Sequence, residues 1–142
     1  MTTLRDVMTT DVTTVSLLDN AFEVAERMEQ LNVGVIPVVE NGNLVGMITD
    51  RDLVLRGYAQ KRSGSFTVEG LMTRDLVVGS PDMSIDDAAH LMAGRQIRRL
   101  PVVENGRLVG IVSIGDLAVR NDLVDEAGEA LSQISQPAKP QM

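Results

Sequence analysis

The sequence predicts an α+β fold in which two β-α-β-β-α repeats pack together about an approximate two-fold axis. Three observations support this prediction: a gap-free internal repeat, apolar residues at helical spacing in each copy, and a hairpin signal at the same place in both copies. A single repeat of this size buries too little apolar surface to be stable alone. The two copies are therefore expected to pack through their sheets, with equivalent loops facing one another across clefts.

The internal repeat is clearest in the segment Pro37–Gly46, which recurs as Pro101–Gly110 at an offset of 64 positions. The same offset pairs further residues along the chain: Val7-Met8-Thr9 with Leu71-Met72-Thr73, Asp52 with Asp116, and Arg56 with Arg120. Fixed-offset similarity of this kind indicates a duplicated structural unit. We therefore assign residues 4–56 to the first repeat, 57–67 to a polar linker and 68–120 to the second repeat. Residues 121–142 are first acidic and then rich in Gln and Pro, which predicts a polar, partly disordered tail.

Each repeat is predicted to begin with a short strand, near Val12–Val15 in the first copy and Leu76–Val78 in the second. A helix follows, because apolar residues fall at i, i+3, i+4 and i+7 in both copies. These residues are Ala21, Val24, Ala25 and Met28 in the first copy, and Ile85, Ala88, Ala89 and Met92 in the second. Asn20 and Ser84 precede the two helices and are of the types that cap helix starts.

Two further strands are predicted in each copy, joined by Asn41-Gly42 or by Asn105-Gly106. Asn-Gly between apolar runs is a strong hairpin signal, because a type I′ turn needs positive φ at both positions. A second helix is predicted to begin near Asp50 in the first copy and near Ile114 in the second.

Composition argues against several functional classes. The net charge is −7 and aromatic residues make up 2% of the chain. Because nucleic-acid binding relies on clustered Lys and Arg and often on aromatic stacking, no direct nucleic-acid partner is expected. No apolar run of about 20 residues and no signal-peptide pattern occur, so no membrane association is expected. Without cysteine, disulfides and thiolate chemistry are unavailable, and the combined features predict a cytoplasmic protein.

The duplicated Pro-Val-Val-x-x-Gly-x-Leu-Val-Gly pattern, followed by Thr/Ser-x-x-Asp, resembles a tandem CBS-domain pair, also called a Bateman module. The resemblance covers residues 4–120 and is to the small stand-alone bacterial type. It implies a regulatory module that binds an adenosine-containing ligand, such as AMP, ADP, ATP, S-adenosylmethionine or NAD, in clefts between the two copies. It also implies a homodimer and a protein target that the sequence does not identify, with no cofactor other than the nucleotide ligand.

The first candidate site residues are Thr49 and Asp52, with Ser113 and Asp116 as their counterparts. The resemblance implies that each Asp accepts hydrogen bonds from the ribose hydroxyls. An ionised carboxylate suits this role because it offers two oxygens to a vicinal diol. The same spacing is also typical of a capping box at a helix start, and both roles can coexist.

Arginines form the second candidate set. Arg98 and Arg99 stand where the first copy has Gly34 and Val35, and the resemblance implies that basic residues at this place contact phosphate. Adjacent side chains on a strand point to opposite faces, so one of the two is expected to reach a given phosphate. Arg51, which has no basic counterpart in the second copy, is a third phosphate candidate. The alternative interpretation of Arg98 and Arg99 is an ordinary solvated pair.

The resemblance further implies that each site takes residues from both copies. One site would combine Ser113 and Asp116 with Thr10, Val12, Val33 and Val35. The other would combine Thr49 and Asp52 with Arg74, Ile97 and Arg99. Backbone groups would then bind the adenine edge while apolar side chains enclose the ring, although simple core packing is an equal alternative for Val33, Val35 and Ile97.

The leading functional hypothesis is a regulatory module whose ligand biases the arrangement of the two copies or of the dimer. The alternative is a structural or interaction protein that binds no ligand and acts through dimer assembly with a partner. Catalysis is not expected, because the chain has no cysteine, a single histidine and no recognisable nucleophile or P-loop motif. That histidine, His90, is expected at the surface rather than in a metal site.

Overall fold

A computed structural model of the chain describes residues 1–118, which form an α+β fold and confirm the predicted class. Arg120 and the predicted tail at 121–142 lie outside the described residues. The α-helices are α1 (Leu4–Val7), α2 (Ala21–Leu31), α3 (Asp50–Asp52), α4 (Ile85–Arg95) and α5 (Ile114–Ala118). The strands are β1 (Val35–Glu40), β2 (Asn43–Thr49), β3 (Arg99–Glu104) and β4 (Arg107–Ser113). A π-helical turn (Leu53–Gly57) and a 3₁₀ turn (Tyr58–Gln60) follow α3, and a second 3₁₀ turn spans Val68–Gly70.

Helices α2 and α4 occupy the positions that the apolar spacing predicts, and both begin at the predicted caps. The Asn20 side chain accepts a hydrogen bond from the Glu23 N–H at 2.9 Å, and the Ser84 hydroxyl accepts one from the Asp87 N–H at 3.0 Å. Each cap satisfies a backbone donor that has no partner within the helix. All four predicted apolar residues of α4 are buried, whereas Ala25 of α2 is exposed.

Both predicted hairpins are confirmed. Strands β1 and β2 pair antiparallel, and β3 and β4 are hydrogen-bonded neighbours. Asn41 and Gly42 have φ values of 53° and 84°, and Asn105 and Gly106 have 53° and 82°. These positive values are the ones that a type I′ turn requires.

The predicted first strand of each copy is reduced to a single parallel β-bridge. In the first copy the bridge joins Val15 to Val38. In the second copy it joins Gly79 to Val102, one residue beyond the predicted strand Leu76–Val78. Directly after Val15, the Ser16 N–H donates a hydrogen bond to the Asp19 carboxylate at 2.9 Å. This local turn ends the extended segment at Val15, the predicted C-terminal end. The strand is shorter than predicted because residues 12–14 form no β-bridge.

The chain folds into two compact units, each containing segments of both sequence repeats. The α2 unit consists of residues 12–76 and 105–108. The α4 unit consists of residues 1–11, 77–104 and, among the described residues, 109–118. The buried core of the α2 unit is Val15, Val24, Met28, Ile36, Val38, Ile48, Val68, Leu71 and Met72. The buried core of the α4 unit is Leu4, Ile85, Ala88, Ala89, Met92, Ala93, Leu100, Val102, Val112, Ile114 and Leu117.

The first residues of each repeat pack with the hairpin of the other repeat. Leu4, at the start of the first repeat, is fully buried in the core of the α4 unit. Leu71 and Met72, near the start of the second repeat, are buried in the core of the α2 unit. The units of packing therefore differ from the units of sequence repetition.

In each unit, a strand glycine allows the first residues of one repeat to pass close to a strand of the other repeat. A Cβ on Gly46 of β2 would lie 2.6 Å from Sδ of Met72 and 3.0 Å from the carbonyl oxygen of Thr73. A Cβ on Gly110 of β4 would likewise lie 2.6 Å from Sδ of Met8. At distances this short, a side chain at the glycine position would force its neighbours to move. The Met-Thr pair and the strand glycine therefore recur at the same offset because they are contact partners.

Candidate functional site

The Thr49–Asp52 turn lies between β2 and α3 in the α2 unit. The Thr49 hydroxyl accepts a hydrogen bond from the Asp52 N–H at 3.0 Å, and Oδ2 of Asp52 accepts one from the Thr49 N–H at 3.0 Å. This arrangement is a capping box, in which each side chain satisfies the backbone N–H of the other residue. The capping role is thus present, and it fixes the position of the carboxylate.

The Asp52 side chain is 12% exposed and has two favourable neighbours. Its Oδ1 lies 3.8 Å from Nε of Arg56 and 3.5 Å from the hydroxyl of Thr73. A cation and a hydroxyl at these distances compensate part of the cost of burying a carboxylate. Thr73 was not among the predicted site residues, although its pairing with Thr9 in the repeat was a signal that could have identified it.

The Ser113–Asp116 turn repeats this geometry between β4 and α5 in the α4 unit. The Ser113 hydroxyl accepts a hydrogen bond from the Asp116 N–H at 3.1 Å, and Oδ2 of Asp116 accepts one from the Ser113 N–H at 2.9 Å. The Asp116 side chain is half-buried. Within residues 1–118, no hydrogen bond or ion pair reaches its Oδ1.

In each unit, a backbone hydrogen bond ties a residue of the turn to the residue that precedes the first hairpin strand, and these two residues are called the tied pair. The Asp50 N–H donates to the Gly34 carbonyl at 3.0 Å, and the Ile114 N–H donates to the Arg98 carbonyl at 2.9 Å. In the α2 unit the Asp50 carboxylate also covers the α-carbon of Gly34, where a Cβ would lie 3.1 Å from Oδ2. Asp50 was missed as a site residue, although the sequence shows an acid and a glycine where the second copy has Ile114 and Arg98.

The predicted site residues divide between the two units. The α2 unit holds Val12, Val33, Val35, Thr49, Arg51, Asp52 and Arg74. The α4 unit holds Thr10, Ile97, Arg98, Arg99, Ser113 and Asp116. Arg74 thus shares a unit with the Thr49–Asp52 turn, and Thr10 shares one with the Ser113–Asp116 turn. The expected joining of Val12, Val33 and Val35, or of Ile97 and Arg99, to a turn of the other unit stays a prediction.

The basic candidates Arg51, Arg98 and Arg99 are exposed. Within residues 1–118, none of their guanidinium groups makes a hydrogen bond or an ion pair. Arg74 differs, because its Nη2 lies 3.7 Å from a carboxylate oxygen of Glu69. Arg51, Arg98 and Arg99 therefore keep all their side-chain donors available for an anion.

The apolar candidates show the packing role that was the alternative to a base pocket. Val33 and Ile97 are partly buried and pack against the cores of their own units. His90 is exposed on α4. Over residues 1–118, no group of three or more His, Cys, Asp or Glu side chains is arranged to hold a metal ion. No helix in that part of the chain is long and apolar enough to cross a membrane.

The family model for the CBS domain matches the chain twice, over residues 4–57 and 68–120. Among curated proteins, the chain is 53% identical over 135 residues to the CBS domain-containing protein YhcV of Bacillus subtilis. That alignment covers 95% of this chain and 96% of YhcV.

Solved structures give the same family. Hypoxic Response Protein I, solved with two coordinated zinc ions, has a TM-score of 0.76 and 34% identity, covering 83% of this chain and 98% of that chain. The CBS domain pair of protein MJ0100, in complex with 5′-methylthioadenosine and S-adenosyl-L-methionine, has a TM-score of 0.72 and 30% identity, covering 83% and 94% of the two chains. The chain therefore belongs to the CBS domain family and carries two CBS domains in tandem.

Proposed function

We propose that this CBS pair is a non-catalytic regulatory module that binds an adenosine-containing nucleotide of the AMP, ADP or ATP type. The observation that carries the proposal is the doubled turn in which Asp52 and Asp116 are each positioned by reciprocal hydrogen bonds with the backbone. The complex of the MJ0100 pair with 5′-methylthioadenosine and S-adenosyl-L-methionine supports adenosine as the shared part of the ligand.

Capping and ribose binding use different oxygens of the same carboxylate. In both turns Oδ2 accepts the backbone N–H, while Oδ1 of Asp116 accepts no hydrogen bond from residues 1–118. A carboxylate already held by the backbone has little side-chain entropy left to lose when it binds a diol. A hydrogen bond to such a charged group contributes about 1.5–3 kcal/mol.

The phosphate is assigned to Arg98 and Arg99. Both side chains are exposed, and neither is paired with an acid within residues 1–118. The hydrogen bond from the Ile114 N–H to the Arg98 carbonyl keeps Arg98 next to the turn that holds Asp116. A ribose at Asp116 would therefore have a cation beside it for its 5′-substituent.

Regulation follows from differential affinity. A nucleotide that contacts both CBS domains favours the arrangement in which its contacts are best made, and a protein partner in the cytoplasm responds to that arrangement. Coupling of this kind is typically worth about 1–3 kcal/mol.

The module is further proposed to act as a homodimer. Phe22 of α2 is 63% exposed, Val54 is 55% exposed and Tyr58 is 84% exposed. Phe22 and Tyr58 line one open groove together with Ala25 and Leu53. Exposed apolar patches of this kind are typical of interaction surfaces.

A thermal-shift panel tests the ligand proposal. The panel contains adenine and guanine nucleotides, adenosine, S-adenosylmethionine and NAD at millimolar concentration. At a ligand concentration of about 100 Kd, the free energy of unfolding should rise by about 2.7 kcal/mol. Stabilisation by adenine but not by guanine compounds is the expected result. If no compound shifts the transition, the proposal is wrong and the interaction-protein alternative takes its place.

A further inference from the structure

Two half-sites can be compared, each lying wholly within one unit. The α2 half-site consists of Gly34, Thr49, Asp50 and Asp52, and the α4 half-site consists of Arg98, Ser113, Ile114 and Asp116. The ribose-type carboxylates Asp52 and Asp116 are held by the same pair of hydrogen bonds in both half-sites. Apart from the contacts of Asp52 with Arg56 and Thr73, the half-sites differ in the pair of residues that a backbone hydrogen bond ties to each turn.

The charge of the tied pair is inverted between the two half-sites. In the α4 half-site the tied pair is Arg98 and Ile114, and Ile114 is 7% exposed, so the exposed group is a cation. In the α2 half-site the tied pair is Gly34 and Asp50, so the exposed group is an anion. The backbone hydrogen bond that joins each pair is nearly the same length, 2.9 Å and 3.0 Å.

The Asp50 carboxylate is fixed in place and is not neutralised. Its Oδ2 lies 3.1 Å and its Oδ1 3.6 Å from the Cβ position of Gly34, and its Oδ1 accepts a hydrogen bond from the Arg51 N–H at 2.8 Å. Within residues 1–118, no ion pair joins it to any Lys or Arg, including the adjacent guanidinium of Arg51. The absence of a side chain at Gly34 is what makes room for this carboxylate.

We propose that the two half-sites select ligands of opposite charge, an inference that rests on the proposed adenosine binding. The α4 half-site takes a phosphorylated adenosine nucleotide. The α2 half-site takes an adenosine derivative whose 5′-substituent is neutral or cationic, such as a thioether or a sulfonium. Asp50 weakens phosphate binding because like charges repel at close range, and it attracts a cation because opposite charges attract. Under this proposal Arg51 does not contact phosphate.

The test is titration calorimetry of the full chain with AMP, with 5′-methylthioadenosine and with S-adenosylmethionine. The wild type should bind one AMP per chain, and the AMP-saturated protein should still bind one molecule of 5′-methylthioadenosine. AMP should bind the α2 half-site roughly ten- to a hundredfold more weakly than the α4 half-site. Raising the salt concentration should narrow this difference, because exposed charges are screened.

The gain-of-function variant is Gly34→Arg/Asp50→Ile, which gives the α2 half-site the tied pair of the α4 half-site. It should bind a second AMP. Asp50→Asn is the conservative control, because it removes the charge but keeps the size, and it should gain part of that second AMP affinity. Retained binding of the first AMP at the α4 half-site, which neither variant alters, together with an unchanged circular dichroism spectrum, shows that both variants are folded.

Four outcomes separate the charge selection from the proposed function. Binding of two AMP molecules to the wild type with similar affinity, or direct competition between AMP and 5′-methylthioadenosine for a single site, would overturn the charge selection while leaving adenosine binding intact. Failure of the double variant to gain AMP despite a folded state would also overturn it. Absence of binding by all three ligands would instead reject the proposed function.

Discussion

Gly46 of β2 and Met72 are in such close contact that a Cβ on the glycine would lie 2.6 Å from the methionine Sδ. The Thr73 carbonyl, 3.0 Å from the same Cβ position, closes the other side. Gly46→Ala should therefore lower the free energy of unfolding by about 1–3 kcal/mol, because backbone as well as side chain must move. Urea denaturation measures the change.

Gly94→Ala is the matched control: Gly94 is exposed within α4, and its Cβ would meet nothing within 4 Å. It should stabilise by about 0.5–1 kcal/mol. Equal effects of the two substitutions would contradict the contact.

The burial of Leu4 in the core of the α4 unit makes the N-terminal segment part of the fold. Leu4→Ala should cost about 2–5 kcal/mol, the usual range for a large-to-small change in a core. Leu18→Ala provides the comparison, because Leu18 is 82% exposed and should be almost neutral. Thermal unfolding of both variants checks this expectation, and a Leu4→Ala protein as stable as the Leu18→Ala protein would show that residues 1–11 are not packed in that core.

Asp116 is proposed to bind the ribose, which adenosine and AMP share. Asp116→Ala should therefore lower the affinity for adenosine and for AMP by a similar factor, roughly ten- to a hundredfold. The substitution also removes a cap, so a capping control is needed. Ser84→Ala removes the cap of α4 and should cost about 1 kcal/mol of stability without changing ligand affinity. Calorimetry with both ligands decides the matter, and unchanged affinity in Asp116→Ala would leave Asp116 with the capping role alone.

Arg98 and Arg99 are proposed to bind the phosphate. Replacing the arginine that reaches the phosphate with alanine, Arg98→Ala or Arg99→Ala, should weaken AMP binding by about ten- to a hundredfold while affecting adenosine binding far less. Arg95→Ala serves as a control for general loss of positive charge, because Arg95 is exposed in the last turn of α4. If both arginines can be removed together with no change in AMP affinity, they are a solvated surface pair.

The exposed groove between α2 and the turn after α3 is proposed to support a homodimer. Light scattering at tens of micromolar should give twice the chain mass of 15.4 kDa. Phe22→Glu should shift the protein toward the monomer, because it places a charge in an apolar contact. Val78→Glu alters another exposed apolar residue, 40% exposed, and should leave the mass unchanged. A wild type that scatters as a 15.4 kDa species contradicts the proposal.

The parts of the fold that short segments decide were predictable from the sequence. Asn20 and Ser84 cap helices because their side chains reach the N–H three residues ahead, and Asn41-Gly42 turns because both residues tolerate positive φ. The predicted strand at Val12–Val15 is too long, because among these four residues Val15 alone forms a β-bridge.

Contacts between distant segments were not predictable from the repeat alone. The offset assigns Leu4 to the first repeat, yet packing assigns it to the core around α4, which depends on side chains some 80 positions later (4 to 85). The site shows the same limit. Thr49 and Asp52 could be found because they belong to one short motif. The position of the Asp50 carboxylate depends on its contact with Gly34, which is distant in sequence.

Leu4 packs in the core around α4 and Leu71 packs in the core around α2. The two CBS domains must therefore be moved together when they are fused to another protein. A crossover placed in the segment 57–67 would build each core from side chains of two different parents. Interiors are packed densely enough that a change of even one methylene is felt, so such chimaeras would carry volume mismatches in both cores at once. Sensor engineering with this chain therefore needs its fusion points before residue 4 and after residue 120, outside the two CBS domains.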